Sequence, residues 1–261
     1  MLTWLRSALF TGAFFLTTTI MAIVGAPLLL IASERLAIGY ARLWARTVLF
    51  LLRALAGIRV EVRGRANIPH GAALVAAKHQ SAFETFALFP ILPSTTLVMK
   101  SELRRIPLFG RFTEIAGMIE VDRAKGSTAL RDMVHRCREE AAKGRQIVIF
   151  PEGTRRPPGA EPAYQPGIAL LYKGLDLPTV PVALNSGLYW PRRSFLKYPG
   201  TIVIEFLPPV EPGLDSRTFL TRLEAAIEAA SDRLLAEAAR SPGAPPLPPM
   251  ALARLAEIGR G

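Results

Sequence analysis

The chain opens on an unbroken apolar run: residues 7–33 carry no charged side chain. At about 1.5 Å of rise per residue, a helix over such a run reaches across a hydrocarbon core of about 30 Å. Pro27 lies inside it and should bend or end the helix there, and the part before it, 7–26, is still long enough to span. Arg6 precedes the run, and Arg35, Arg42, Arg46, Arg53 and Arg59 follow it. The positive-inside tendency then puts the C-terminal side in the cytoplasm. Val24-Gly25-Ala26 offers a small-residue cleavage site, but the run is too long for a signal peptide and Pro27 would follow the cut directly. A hairpin or interfacial helix dipping into one leaflet is the other arrangement. The next segment, 43–56, mixes Trp44, Leu49, Phe50, Leu51 and Leu52 with Arg46 and Arg53. It reads as an amphipathic, basic helix lying on a membrane, and the same pattern suits a core helix of the main domain.

After residue 57 the pattern changes. Short β-rich stretches at 58–62, 73–77, 96–99, 118–121, 146–150, 179–184 and 201–206 alternate with helical ones at 82–89, 109–115, 127–143, 168–173 and 216–239. Strands separated by helices predict an α/β domain: a central, largely parallel mixed sheet flanked by helices. The last long helix aligns Phe219, Leu223, Ile227 and Leu234, with Ser216 as its N-cap. Residues 241–249 are Pro-rich and read as a linker or tail, and 250–258 could form a short helix. The expected organisation is membrane-associated helices over 1–56, the α/β domain over 57–240, and the tail over 241–261.

Composition narrows the partners. Half of the 261 residues are hydrophobic and the mean hydropathy is +0.27, enough for a core and a membrane-attached part. The formal net charge is +11, which favours anionic partners. The basic residues are spread along the chain with no aromatic-rich RNA signature, so anionic membrane lipids and a lipid phosphate are expected, and nucleic acid is not. Cys137 is the single cysteine, which excludes an intrachain disulfide. With three histidines, His70, His79 and His135, a zinc site is not expected, and no cofactor is. The chain has neither a G-x-S-x-G elbow nor a GxxxxGK[ST] loop.

Two segments carry candidate chemistry. In Lys78-His79-Gln80-Ser81-Ala82-Phe83-Glu84 an imidazole precedes a carboxylate by five positions. In a regular helix that offset separates side chains by about 140°, so the two meet only if His79 lies in the turn before the helix. Ser81 as N-cap would start the helix at Ala82. The carboxylate would then fix the imidazole tautomer while His79 takes a proton from a hydroxyl. Ser81 to Glu84 also fits a capping box, in which Glu84 merely caps backbone. The second segment follows the apolar stretch 146–150: Pro151-Glu152-Gly153-Thr154-Arg155. Gly153 permits close backbone approach, Thr154 offers a hydroxyl, and Arg155 can grip phosphate through two hydrogen bonds. Glu152 is expected to orient Arg155 or a substrate hydroxyl.

Together these segments resemble the 1-acyl-sn-glycerol-3-phosphate acyltransferases, glycerophospholipid acyltransferases with an HxxxxD motif usually preceded by Asn. His79 and Glu84 match its positions, with Glu for Asp and Lys78 for Asn. A second block resembles Lys100 to Leu103, Pro107, Gly110 and Ile119 to Arg123. The third, FPEGTR, is Phe150 to Arg155 unchanged, and the fourth resembles Val180-Pro181-Val182. The resemblance implies acyl transfer from acyl-CoA or acyl-carrier protein to the sn-2 hydroxyl of lysophosphatidate at the cell membrane, without a covalent acyl-enzyme. It implies His79 as base and Glu84 as its orienting acid. Lys100, Arg123, Glu152, Gly153, Thr154 and Arg155 would bind substrate, with no metal. An acyltransferase using another lysolipid, such as a lysophospholipid or lyso-ornithine lipid, and a non-catalytic binder of anionic lipid or nucleic acid are the competing readings.

Overall fold

The computed structural model describes residues 1–122 and 126–259. Its strands are β1 (Ile58–Arg63), β2 (Ala73–Ala77), β3 (Thr95–Lys100), β4 (Ile119–Val121), β5 (Gln146–Ile149), β6 (Thr179–Leu184) and β7 (Gly200–Phe206). They form one sheet in the order β1-β7-β6-β2-β5-β3-β4. From β6 to β4 neighbouring strands are parallel, whereas β7 runs antiparallel to β6 and β1 follows β7. The expected largely parallel α/β sheet is present. Strands β2, β5 and β6 are buried at every residue, as an unbroken apolar run requires when both faces of a sheet are covered. Along β2 the side chains alternate: Val75 and Ala77 pack into one core, Leu74 and Ala76 into the other.

The helices are α1 (Leu2–Gly25), α2 (Leu28–Ile31), α3 (Glu34–Leu51), α4 (Glu84–Ala87), α5 (Phe109–Ile115), α6 (Gly126–Ala142), α7 (Gly167–Leu175), α8 (Ser186–Tyr189), α9 (Ser216–Arg240) and α10 (Pro249–Ile258). Two expectations are corrected, and a third segment is placed. The helix after β2 is one turn beginning at Glu84, with Phe83 at its N-cap, not a helix from Ala82 capped by Ser81. The cap of α9 is Asp215, whose carboxylate accepts from Arg217 N–H at 3.0 Å and Thr218 N–H at 3.1 Å; Ser216 is already the first helical residue. The segment 43–56 belongs to α3 and a π-helical turn, Leu52–Ala56. Ala45, Val48, Leu52 and Ala56 put one face of it in the domain core, while Leu43, Arg46, Phe50 and Arg53 stay outside.

α1 is apolar and long enough to cross a membrane, yet it is fastened to the domain near both ends. Near its start, Lys197 N–H donates to Ser7 Oγ at 2.9 Å, and Phe10 is buried against Trp190. Near its end, Tyr40 of α3 donates to Met21 O at 2.6 Å and stacks on Phe112 of α5. The two helices come close together at Gly25, where a Cβ would lie 2.5 Å from the Tyr40 ring. Trp44 joins the middle, donating to Thr18 Oγ1 at 3.1 Å. The outer face, with Leu9, Leu16, Ile20 and Val24, is exposed. The base of α3 is tied to the sheet by buried Arg145, which donates to Glu34, Glu140 and the carbonyls of Thr95 and Ala116.

Candidate active site

Adjacent parallel strands end on the same side, and open α/β sheets gather their chemistry at that carboxyl edge. There β6 delivers Ser186, β2 delivers His79, β5 delivers Glu152 to Arg155, and β3 delivers Lys100. The strand-like path of β2 persists one residue further, since Lys78 N–H donates to Val182 O at 2.9 Å. His79 is the next residue, outside any helix.

The chain turns sharply after His79, and Glu84 closes that turn. Its Oε1 accepts from Gln80 N–H and Ser81 N–H, each at 2.6 Å, and lies 2.9 Å from His79 Nδ1. Its Oε2 accepts from Ser186 Oγ at 2.8 Å. The bonds from Gln80 N–H and Ser81 N–H tie down backbone ahead of the helix, which starts only at Glu84, and the imidazole bond is made by the same oxygen. One carboxylate, fully buried, therefore both holds backbone and faces the imidazole. A carboxylate oxygen that takes two backbone N–H groups acts as an acceptor, so Nδ1 is the nitrogen that donates to it, and in the neutral imidazole Nε2 holds the lone pair.

The Pro151 to Arg156 turn holds the histidine from the other side. His79 N–H donates to Glu152 Oε2 at 3.0 Å, and Arg156 N–H donates to His79 O at 2.8 Å. Phe150 stacks on the imidazole, with centroids 4.1 Å apart and planes 15° apart. Gly153 makes the bend at φ +65°, a left-handed conformation that glycine adopts without steric cost, and its N–H closes the turn on Phe150 O. Thr154 is exposed and Arg155 half-buried, its carbonyl accepting from Arg192 Nη1 at 2.7 Å.

Glu152 does not orient Arg155 as the sequence suggested. It is buried, and besides holding His79 N–H it places Oε1 3.0 Å from Lys78 Nζ, oriented off the hydrogen-bond axis. Burial pushes its carboxyl above the usual range, opposed by the Lys78 charge and the His79 N–H. Lys78 also donates to both oxygens of Glu228 on α9, at 2.7 and 2.8 Å. Tyr164, pushed well above its ordinary pKa by burial and the Glu228 charge, keeps its proton and donates to Glu228 at 2.9 Å.

The structure thus brings His79, Glu84, Glu152 and Gly153 together, with Thr154 and Arg155 on the rim. Lys100 stands exposed at the end of β3, along the same edge, and Arg123 lies outside the described residues. Sequence reasoning missed Ser186, Phe150 as a stacking partner, and Glu228. Ser186 follows β6 with no spacing that links it to Glu84, and Glu228 reads as one more charge on an amphipathic helix. Among the described residues, no cluster of His, Cys, Asp or Glu is arranged to hold a metal ion. Chemically, the site offers an oriented base at a sheet edge beside an arginine-bearing turn.

Comparisons with known proteins bear on the family and the fold. The family model described as Acyltransferase matches residues 59–185. A 1-acyl-sn-glycerol-3-phosphate acyltransferase from Pseudomonas aeruginosa is 36% identical over 194 residues, covering 74% of this chain and 76% of that protein. The Mus musculus 1-acyl-sn-glycerol-3-phosphate acyltransferase alpha is 28% identical over 169 residues, 63% of this chain and 59% of that protein. In fold, the chain is similar to the crystal structure of the 1-acyl-sn-glycerophosphate (LPA) acyltransferase PlsC from Thermotoga maritima. The TM-score is 0.72 at 21% identity, over 88% of this chain and 97% of the other.

Proposed function

The chain belongs to the 1-acyl-sn-glycerol-3-phosphate acyltransferases, and from that membership we propose that it carries an acyl group from acyl-CoA or acyl-carrier protein to the sn-2 hydroxyl of lysophosphatidate. His79 Nε2 takes the hydroxyl proton, and the oxygen attacks the thioester carbonyl carbon. The tetrahedral intermediate collapses, the C–S bond breaks, and the imidazolium returns the proton to the departing thiolate. Products are phosphatidic acid and free thiol, with no covalent acyl-enzyme. Glu84 holds Nδ1–H throughout and balances the positive charge that forms on the ring. Arg155 grips the acceptor phosphate, with Lys100 contributing charge from the end of β3 and Arg123 adding its own. Glu152 acts on His79 rather than on substrate.

The observation that supports this reading most is the single Glu84 oxygen shared by His79 Nδ1 and two backbone N–H groups, which leaves Nε2 as the ring's free base. The exposed face of α1, on a helix held to the domain near both ends, supports attachment within one leaflet, and the arginines that follow the apolar run support a cytoplasmic α/β domain. The test supplies purified protein with lysophosphatidate in mixed micelles and each donor in turn. Phosphatidic acid should form, and His79→Ala should abolish it. No product from the intact protein, or undiminished product from the variant, overturns the proposal.

A further inference from the structure

Lys78 brings a full charge to a position only 3% exposed, directly before the histidine. A buried ammonium is stable only when well paired, because removing it from water costs several kcal/mol. Its partners are two glutamates from distant parts of the chain, and they have different roles. Glu152 holds His79 N–H. Glu228 is carried by α9, whose register is locked by neighbouring Ile227, buried in the core, and by the Tyr164 hydroxyl. The contacts therefore run in series: α9, Glu228, Lys78, Glu152, and then the main chain of the base.

We propose that Lys78 is a positioning residue for the acyl transfer. By holding Glu152 against His79 N–H, it sets where the imidazole presents Nε2, although Lys78 touches neither acceptor nor donor. The inference rests on the acyl-transfer reading and deepens it. The surroundings also give a means of testing it. A cavity of about 430 Å³ between α9, α10 and the 158–162 segment is lined by Lys78 and Glu228 but not by His79, Glu84 or Ser186. A small amine entering there can reach the ammonium position without passing through the catalytic dyad.

The experiment measures kcat and KM for wild type and Lys78→Ala, with and without added ethylammonium. A displaced base costs turnover, so kcat should fall by about 10²-fold while KM for lysophosphatidate stays within about threefold. Ethylammonium, but not tetraethylammonium, should restore most of the lost kcat. Full kcat in Lys78→Ala, or a folded but slow variant that ethylammonium leaves unchanged, overturns the inference. Should Lys78→Ala fail to fold, Lys78→Met/Glu228→Gln removes both charges as a pair. It should then fold with reduced kcat and unchanged KM, and full kcat in that variant overturns the inference equally. An inactive wild-type protein overturns the acyl-transfer reading and this inference with it. An active wild type with an unimpaired Lys78 variant overturns this inference alone.

Discussion

Replacing Glu84 by glutamine isolates the charge of the dyad from its shape. The amide oxygen of Glu84→Gln can take the place of Oε1 and accept from His79 Nδ1, Gln80 N–H and Ser81 N–H. The amide NH₂ then faces Ser186, whose hydroxyl turns from donor to acceptor. Each heavy polar atom of the cluster keeps a hydrogen-bond partner, so the fold should survive. What disappears is the attraction between carboxylate and imidazolium. With nitrogen and oxygen 2.9 Å apart, the charge centres lie about 4 Å apart. At an effective dielectric constant of about 20 their interaction is about 4 kcal/mol. That energy operates only once the ring is charged, so it appears in the barrier as about a 10³-fold loss of kcat. Thiol release at saturating lysophosphatidate and donor measures it directly, with the circular dichroism spectrum as a check on folding. Glu84→Asp is the complementary variant: it keeps the charge but shortens the arm by about 1.5 Å, so His79 or Ser186 must lose its bond. Its kcat should fall between those of wild type and the glutamine variant. A folded Glu84→Gln enzyme within about tenfold of wild type would refute the reasoning, because the carboxylate would then not be balancing charge on His79.

Three further outcomes are expected. Arg145→Met leaves the carboxylates of Glu34 and Glu140 without the buried guanidinium between them, and urea unfolding should show a loss of about 3–5 kcal/mol; an unchanged midpoint contradicts this. Burial pushes the Cys137 thiol up to about 12, so at pH 8 it stays protonated and should react with iodoacetamide only after unfolding, and labelling of the native protein within minutes is the opposing result. Because the raised pKa favours the native state below the ordinary thiol value of about 8.5, this contribution to stability should decline as pH climbs from there towards 12. Leu16→Glu/Ile20→Glu changes two exposed residues of α1 and should weaken association with anionic vesicles by at least about a hundred-fold, with little change in thermal stability. Unaltered vesicle binding would remove α1 from the membrane contact.

The α/β domain was legible because its strands are buried on both faces. Such strands appear as short, continuous apolar runs, and those at 73–77 and 179–184 coincide with β2 and β6. The short helix expected over 250–258 is α10, which starts one residue earlier at Pro249, a proline assigned to the tail although its fixed φ suits a first turn. The helix after His79 was not legible. Ser81 and Glu84 satisfy a local capping rule, but the carboxylate is drawn back towards Gln80, Ser81 and His79, and only one helical turn remains. The α1–α3 packing was also hidden. The hydrophobicity that suits a lipid environment also suits a core, and the buried faces of both helices appear only once Tyr40, Trp44 and Phe112 have been placed. Lys78 stood in plain view, but its partner Glu228 is 150 residues away, and no local pattern connects them.

His79 is held by its main chain rather than by its side chain alone: Glu152 takes its N–H, and Arg156 gives an N–H to its carbonyl. The proton-accepting ring and the arginine turn are consequently two ends of one gauge. In the proposed reaction, these bonds fix the distance between the main chains of His79 and Arg155, so the span from Nε2 to the phosphate grip varies only within the reach of two side chains. An acceptor is therefore sorted by how many bonds separate its hydroxyl from its phosphate. An analogue with that separation changed by one carbon should still bind, but should be acylated slowly. Regiochemistry would then be written into the bonds that anchor the His79 main chain to the arginine turn, and reshaping the walls of the acyl pocket should leave it unchanged.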